Sequence, residues 1–304
     1  RVPTNRPVKR KKLPTRVFGT SDQKWEAIVA EVRDLHAAGR PVLIGTRSID
    51  KSQRLAELLR QYNITHSVLN ANEIAKEADR RDQGFGDTRS KMVMILRNKR
   101  GQESKRELEI RTLEVEGDGD KSLTVFHTPR DVRGTALLTF SHGVDPDEQW
   151  LYLPALRRVK RIASNNKSGP FMGSEFAYED LSSQEVEKYT YKYLKDEKID
   201  GVDCFLVEQY PVDKDSGYTR LQAWIDKDEY RVRKIDFYDR KGALLKTLTP
   251  SDYEQFLGKH WRAQKMNMVN HQTGKSTDLI WSEWKFKTGL KDDDFTRTRL
   301  QQVL

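Results

Sequence analysis

From Glu73 onward the chain alternates apolar and polar residues with period two for most of its length, and few folds other than an antiparallel sheet tolerate that pattern. Leu108 and Ile110 face away from Glu107, Glu109 and Arg111. Tyr189, Tyr191 and Tyr193 face away from Thr190 and Lys192, and Ile280, Trp284 and Phe286 extend a late strand. Turn signals punctuate the pattern: KRGQ near 99, GDGD near 117, KDSG near 214, DRKG near 239 and HQTGK near 271. About ten strands joined by tight turns make an antiparallel meander. A sheet that long curls, and curling one face inward makes a barrel or half-barrel. Trp150, Tyr152, Trp224, Phe237, Trp261, Trp281 and Trp284 all fall on expected strands. They suit either an ordinary filled core or the wall of a cavity for an elongated apolar ligand, because a wide barrel need not fill itself with side chains.

The first seventy residues follow another grammar. Thr20 can cap a helix, with Gln23 as capping-box partner; Trp25, Ile28, Val29, Val32 and Leu35 form one apolar stripe, and Gly39 supplies the stop. PVLIGT suits a strand buried on both faces, a second helix covers roughly 50–62, and HSVLN gives another short strand. Strand, helix, strand with a short crossover is a parallel βαβ unit. The two grammars meet inside VLNANEIAKEADRRDQGFGD, residues 68–87.

Charge divides at the same place. Residues 1–72 carry fourteen Lys/Arg against six Asp/Glu, a net of +8 in a chain whose total is +9. Most of that excess sits in RVPTNRPVKRKKLP, a Pro-rich extended arm followed by no nucleic-acid recognition module, so nucleic acid is not expected as a partner. No apolar run approaches the ~18 residues of a membrane-spanning helix. The single cysteine, Cys204, excludes an internal disulfide. The chain has no initiator Met and no signal-like apolar segment at its start, so it reads as a piece of a longer polypeptide.

Two resemblances follow from the residues themselves. VPTNRP, GRPVLIGTRSIDKS and ITHSVLN resemble the second nucleotide-binding domain of SecA, the protein-translocation motor ATPase, over residues 1–72. The resemblance stops at Asn72, where that family continues with Lys, and no GxxxxGK[ST] phosphate loop occurs anywhere in the chain. Hydrolysis needs groups that stabilise charge on the transferred phosphoryl, so this piece is not expected to act as an ATPase. EADRRDQGFGD, RDVRGTALLTFSH, DEQWLYLPALRRVKRI and SGPFMGSEFAYEDL resemble the LolA-like outer-membrane lipoprotein-sorting proteins over residues 73–304. That resemblance implies an α+β fold: a large antiparallel half-open β-barrel with covering helices, here preceded by the truncated βαβ unit. It implies a non-enzymatic carrier of lipoprotein acyl chains or related lipids, in or facing the periplasm, with inner-membrane transport machinery as a further partner and no cofactor. The alternative function class is a translocation-ATPase fragment, whose 1–72 portion would be cytoplasmic.

Within such a half-barrel Met92, Met94, Tyr191, Trp224 or its neighbours, Trp284 and Phe286 are the cavity candidates, with helices at 73–82 and after Asp294 covering the mouth. SNNKSGPFMGSEFAYEDL, residues 164–181, is Gly/Ser/Asn-rich yet holds Phe171, Met172, Phe176 and Tyr178. These four either fold back to plug the barrel mouth or form a mobile flap that contacts acyl chains, with Met172 adapting to chain shape. LRRVKR, residues 156–161, could meet anionic headgroups or simply alternate into water. The six histidines are scattered without metal-ligand spacing, and no GxSxG elbow surrounds Ser141 or Ser174. Cys204, in DCFLVEQ, reads as a buried structural thiol, and Asp292–Asp294 suit a helix start.

Overall fold

A computed structural model describes residues 14–46, 49–66, 70–143 and 145–302, which divide into two compact units, Arg1–Leu69 and Asn70–Leu304. In the first unit, helix α1 (Ser21–Ala37) begins where the Thr20 hydroxyl accepts the Gln23 N–H. Its stripe buries Trp25, Val29 and Val32 against Leu55 and Leu59 of α2 (Ile49–Gln61) and against Ile64. The expected strand at PVLIGT carries no ladder among the described residues, and Leu43 is fully exposed. Most of its expected partner HSVLN falls at 67–69 and the basic arm at 1–13, both outside the described residues.

The second unit opens with helix α3 (Ala71–Asp82), capped by the Asn70 side chain on Glu73 N–H at 2.9 Å. Among the described residues thirteen strands follow: β1 Asp87–Arg97, β2 Glu103–Leu113, β3 Lys121–Thr128, β4 Ala136–Phe140, β5 Glu148–Leu153, β6 Arg158–Ile162, β7 Tyr189–Ile199, β8 Val202–Pro211, β9 Tyr218–Asp226, β10 Val232–Asp239, β11 Leu244–Phe256, β12 His260–Asn270 and β13 Ser276–Phe286. All pair antiparallel in one open sheet, in the order β6-β5-β4-β3-β2-β1-β13-β12-β11-β10-β9-β8-β7. The strands at the two ends of the unit therefore pair in the middle: Met92 stands opposite Trp281 and Met94 opposite Leu279. The edges are β6 and β7, which are consecutive in sequence. Residues 163–188 must accordingly run from one edge of the sheet to the other.

That crossing strap lies on one face, with α3. Met92, Met94, Leu108, Val207, Leu221 and Leu279 pack there against Ala71 and Ile74 of α3 and against Phe171 and Phe176 of the strap. The opposite face is apolar in two places. Leu123, Val125, Ala136, Leu138 and Trp150 on β3–β5 bury Leu290, Phe295 and Leu300 of the C-terminal segment, and Cys204, Leu206 and Trp224 cluster on β8–β9. The expected C-terminal helix is thus two short 3-10 turns, Asp292–Asp294 and Arg299–Gln302, on the face away from α3. The reason is parity: β3–β5 carry apolar residues on both faces, and the second face needs its own cover.

Helix α3 settles among acids. Burial first, and then the charges of Glu185, Glu187 and Asp82, raise the Asp79 carboxyl to about 6. Burial, Glu185, Glu114 and Asp82 raise Asp120, just before β3, to about 7. A carboxyl whose folded value exceeds its unfolded value holds its proton more tightly in the native state. Its contribution to stability is complete below the ordinary aspartate value and is lost as pH rises to the folded value. Asp120→Asn should therefore gain on the wild type as pH rises from about 4 to about 7, then level off. The advantage should be on the order of 2 kcal/mol after discounting for partial exposure, a shift of several degrees in Tm. Thermal melts at pH 4 to 8 check this; a difference that does not vary with pH would contradict it.

Candidate functional site

The apolar face of the sheet is filled by the strap, so the candidate site is built from both. Phe171 is buried with its ring 5.7 Å from Phe126 and 5.6 Å from Tyr178, and Phe176 is buried beside it. Met172 sits between them at φ 49, a left-handed conformation costly for a side-chain-bearing residue, followed by Gly173 at φ 77. The reversal lets Phe171 and Phe176 both enter the core, and the Phe171 N–H returns to the Phe176 carbonyl at 2.7 Å.

Polar groups stitch the strap to strands across the sheet. Arg106 on β2 donates to the Met172 carbonyl at 2.6 Å, and the buried Gln149 amide on β5 donates to the Tyr178 carbonyl at 2.9 Å. The Glu175 N–H reaches Thr277 Oγ1 on β13 at 3.0 Å, and Asn270 Nδ2 on β12 donates to Glu175 Oε2 at 2.7 Å. Glu179 accepts from the Ser216 hydroxyl at 2.8 Å and from the Gly217 N–H at 2.9 Å; burial raises its carboxyl above the ordinary glutamate value. A methyl on Gly217 would stand 2.7 Å from Ser168 Cβ and 2.8 Å from Glu179 Oε1, so only glycine allows this approach.

The strongest stitch is an ion pair. Lys246 Nζ on β11, with a side chain 4% exposed, lies 2.6 Å from Asp180 Oδ2, whose side chain is 7% exposed. The Tyr218 hydroxyl on β9 donates to Asp180 Oδ1 at 2.7 Å, and Ala177 N–H donates to Oδ2 at 2.7 Å. Burial holds the Tyr218 phenol well above its ordinary value, so it stays a donor. Lys246 also donates to the Glu175 carbonyl at 3.0 Å. Along this edge of the strap runs a cleft of about 590 Å³, lined in part by Ser168, Tyr218, Arg240, Lys241, Lys246 and Lys275.

The six cavity candidates do not share one wall. Met92 and Met94 are buried in the main core under the strap, and Tyr191 on edge strand β7 packs against that core with its hydroxyl on the Val186 carbonyl at 3.0 Å. Trp284 and Phe286 belong to a separate aromatic group with Phe256 and His260, which meets Phe85 just past α3. They reach the covered face because Glu283, at φ 54, forms a bulge that restores Phe286 opposite Thr88. Trp224 is a correction: it pairs with Leu206 on the opposite face and donates to Glu197 at 2.7 Å, while its neighbours Ala223 and Ile225 face the strap.

The chemistry sought elsewhere resolves into structural contacts. Ser174 donates to the Phe171 carbonyl at 2.7 Å, Ser141 Oγ accepts the Ser183 N–H, and the buried Cys204 thiol, raised by burial, points at the Val202 carbonyl. His142 Nδ1 lies 2.7 Å from Asp118, a pair separated by twenty-four positions and invisible to local pattern. Lys246 and Asp180 were also missed. The signal for Lys246 was available, a charge between Leu244 and Leu248 on an alternation that is apolar from 244 to 250; Asp180 in the strap gave none.

Comparison with known proteins places both parts of the chain. A family model described as that of an uncharacterized protein matches residues 118–302, and one for the SecA P-loop domain matches residues 7–109. The chain is 61% identical over 79 residues to protein translocase subunit SecA 2 of Rhodopirellula baltica and 49% identical over 78 residues to subunit SecA of Bordetella pertussis. Each stretch is 26% of this chain but 12% and 9% of those proteins, so the chain spans about a tenth of the motors it matches. Among solved structures, a domain of Vibrio parahaemolyticus named for outer membrane lipoprotein sorting is 59% identical with TM-score 0.75, covering 76% of this chain and 98% of that one. A DUF1329 family protein of Desulfovibrio piger is 31% identical with TM-score 0.72, covering 75% and 97%. A LolA superfamily protein of Nitrosomonas europaea shares the fold at TM-score 0.63 and 21% identity, over 76% and 100%. The chain therefore belongs to the family of the outer membrane lipoprotein-sorting domain and shares the LolA-like fold, and its N-terminal region resembles a fragment of the SecA P-loop domain.

Proposed function

We propose that residues 73–304 form a non-enzymatic carrier domain for lipoprotein acyl chains or related lipids, acting in or facing the periplasm and exchanging cargo with inner-membrane transport machinery. The observation that carries this reading is the strap itself. Phe171, Met172, Phe176 and Tyr178 lay apolar groups on the main apolar face of the sheet, where an acyl chain would lie, and they arrive on an irregular segment able to leave without breaking the ladder. The strap is then the stand-in for cargo, and the plug and flap readings of residues 164–181 are its closed and open states. Each methylene that replaces strap contacts contributes ~0.8 kcal/mol, so a long chain can compete with two phenylalanines. We further propose that residues 1–72 are a separate, incomplete motor-domain piece, a truncated βαβ unit that hydrolyses no nucleotide. Among the described residues no helix is long and apolar enough to cross a membrane.

Two measurements test these readings. The first is titration with a fluorescent anthroyloxy fatty acid. The wild type should bind at micromolar concentration, and Gly217→Ala, which forces Ser168 and Glu179 away from the sheet, should bind about tenfold faster. Absence of binding by either protein would refute the carrier reading. The second addresses the motor resemblance: calorimetric titration of the full chain with MgATP should release no binding heat, because no phosphate loop exists to hold a triphosphate. Micromolar ATP binding would make the motor-fragment reading the better one.

A further inference from the structure

The face that should hold an acyl chain contains a lysine. Lys246 stands on β11 two residues before Leu248, on the same side of the sheet, with Nζ 5.2 Å from the ring centres of both Tyr218 and Phe237. A cation in such surroundings persists only where an anion and hydrogen-bond partners compensate it. Here the anion is Asp180, which comes from the strap. Two of the three donors on the Asp180 carboxylate, the Lys246 ammonium and the Tyr218 hydroxyl, come from the sheet; the third, Ala177 N–H, comes from the strap itself. The sheet thus carries a two-point carboxylate receptor flanked by apolar side chains, and the strap supplies the carboxylate.

Departure of the strap would leave that receptor empty and its ammonium uncompensated against Leu221, Phe237 and Leu248. A neutral acyl chain can replace Phe171 and Phe176 but not Asp180. A chain that ends in an acid can replace both. The cleft beside the ion pair is already lined by Arg240, Lys241 and Lys275 as well as Lys246, against the acids Glu175 and Asp239, so an anion approaching along it meets an excess of positive charge.

We propose that Lys246 and Tyr218 form the binding site for the acidic group of an anionic amphiphile, a carboxylate or phosphate borne on an acyl chain, and that Asp180 occupies this site as an internal surrogate until the ligand displaces it. The proposal rests on the carrier reading above and adds the chemical class of the cargo. Opening is then an exchange of one anion for another, and neutral lipids are discriminated against because they cannot complete it.

The test uses the full chain and four probes at pH 7.5: an anthroyloxy stearic acid, its methyl ester, a lysophosphatidic acid as competitor, and acetate or inorganic phosphate as anions without a chain. The fatty acid should bind at least tenfold more tightly than the ester. Lysophosphatidic acid should displace it, and millimolar acetate or phosphate should not. The double variant Lys246→Met/Asp180→Asn, which removes both charges together, should melt as the wild type does and bind acid and ester alike. Should it fail to fold, the wild-type comparison of acid with ester still decides. Equal affinity for acid and ester, an acid preference that survives in the double variant, or displacement by acetate or phosphate alone overturns the proposal and leaves the carrier reading standing. Failure of acid and ester alike to bind overturns both.

Discussion

The pairing of β1 with β13 is the constraint on which the rest of the second unit depends. The two strands lie at opposite ends of its sequence, and their ladder, Met92 opposite Trp281 and Met94 opposite Leu279, closes two meanders into one sheet. Because they meet in the centre, β6 and β7, which are adjacent in sequence, become the two edges. The chain between them has no short route. It must cross a face, and the crossing segment becomes part of the core.

A segment forced across an apolar face brings its backbone with it, and that backbone must be satisfied where water is scarce. The stitches from Arg106, Gln149, Thr277 and Lys246 answer that requirement strand by strand, and Asn270 adds a bond to the Glu175 carboxylate. They also make the strap separable. Each is a side chain reaching from the sheet, so releasing the strap leaves the inter-strand ladders intact. Two different forces thus hold it: apolar contacts at Phe171 and Phe176, which a hydrocarbon chain could reproduce, and the Asp180–Lys246 pair, which only another anion could.

Much of the sheet was legible because alternation and turn residues act locally. Leu108 and Ile110 against Glu107, Glu109 and Arg111 fix a half-buried strand whatever lies beside it. Strand order was not legible, since nothing in the local pattern of Met92 or Trp281 announces that they pair across almost the whole unit. The same blindness misplaced Trp224. Its partner strand reads Cys204, Phe205, Leu206, Val207, apolar on both faces, so parity there gave no direction, and the cluster with Cys204 and Leu206 settled it. The C-terminal segment went to the opposite face for a related reason, because Leu123, Val125 and Leu138 form a second apolar surface that alternation on other strands concealed. In the first unit, the Thr20 cap and the Trp25, Val29, Val32 stripe were local and readable, whereas the strand expected at PVLIGT depends on a partner.

The central claim is that the strap holds the place of the cargo and leaves when cargo binds. Amide hydrogen exchange of the full chain, followed with and without a saturating long-chain fatty acid, tests it most directly, because the Glu175 N–H is bonded to Thr277 of the sheet, while those of Phe171, Ala177 and Tyr178 are bonded within a strap whose packing on the sheet holds its fold. Fatty acid should speed exchange at residues 168–181 while the ladder amides of β8, β9 and β10 keep their protection. Unchanged or slower exchange of the strap in the presence of bound fatty acid would contradict the account.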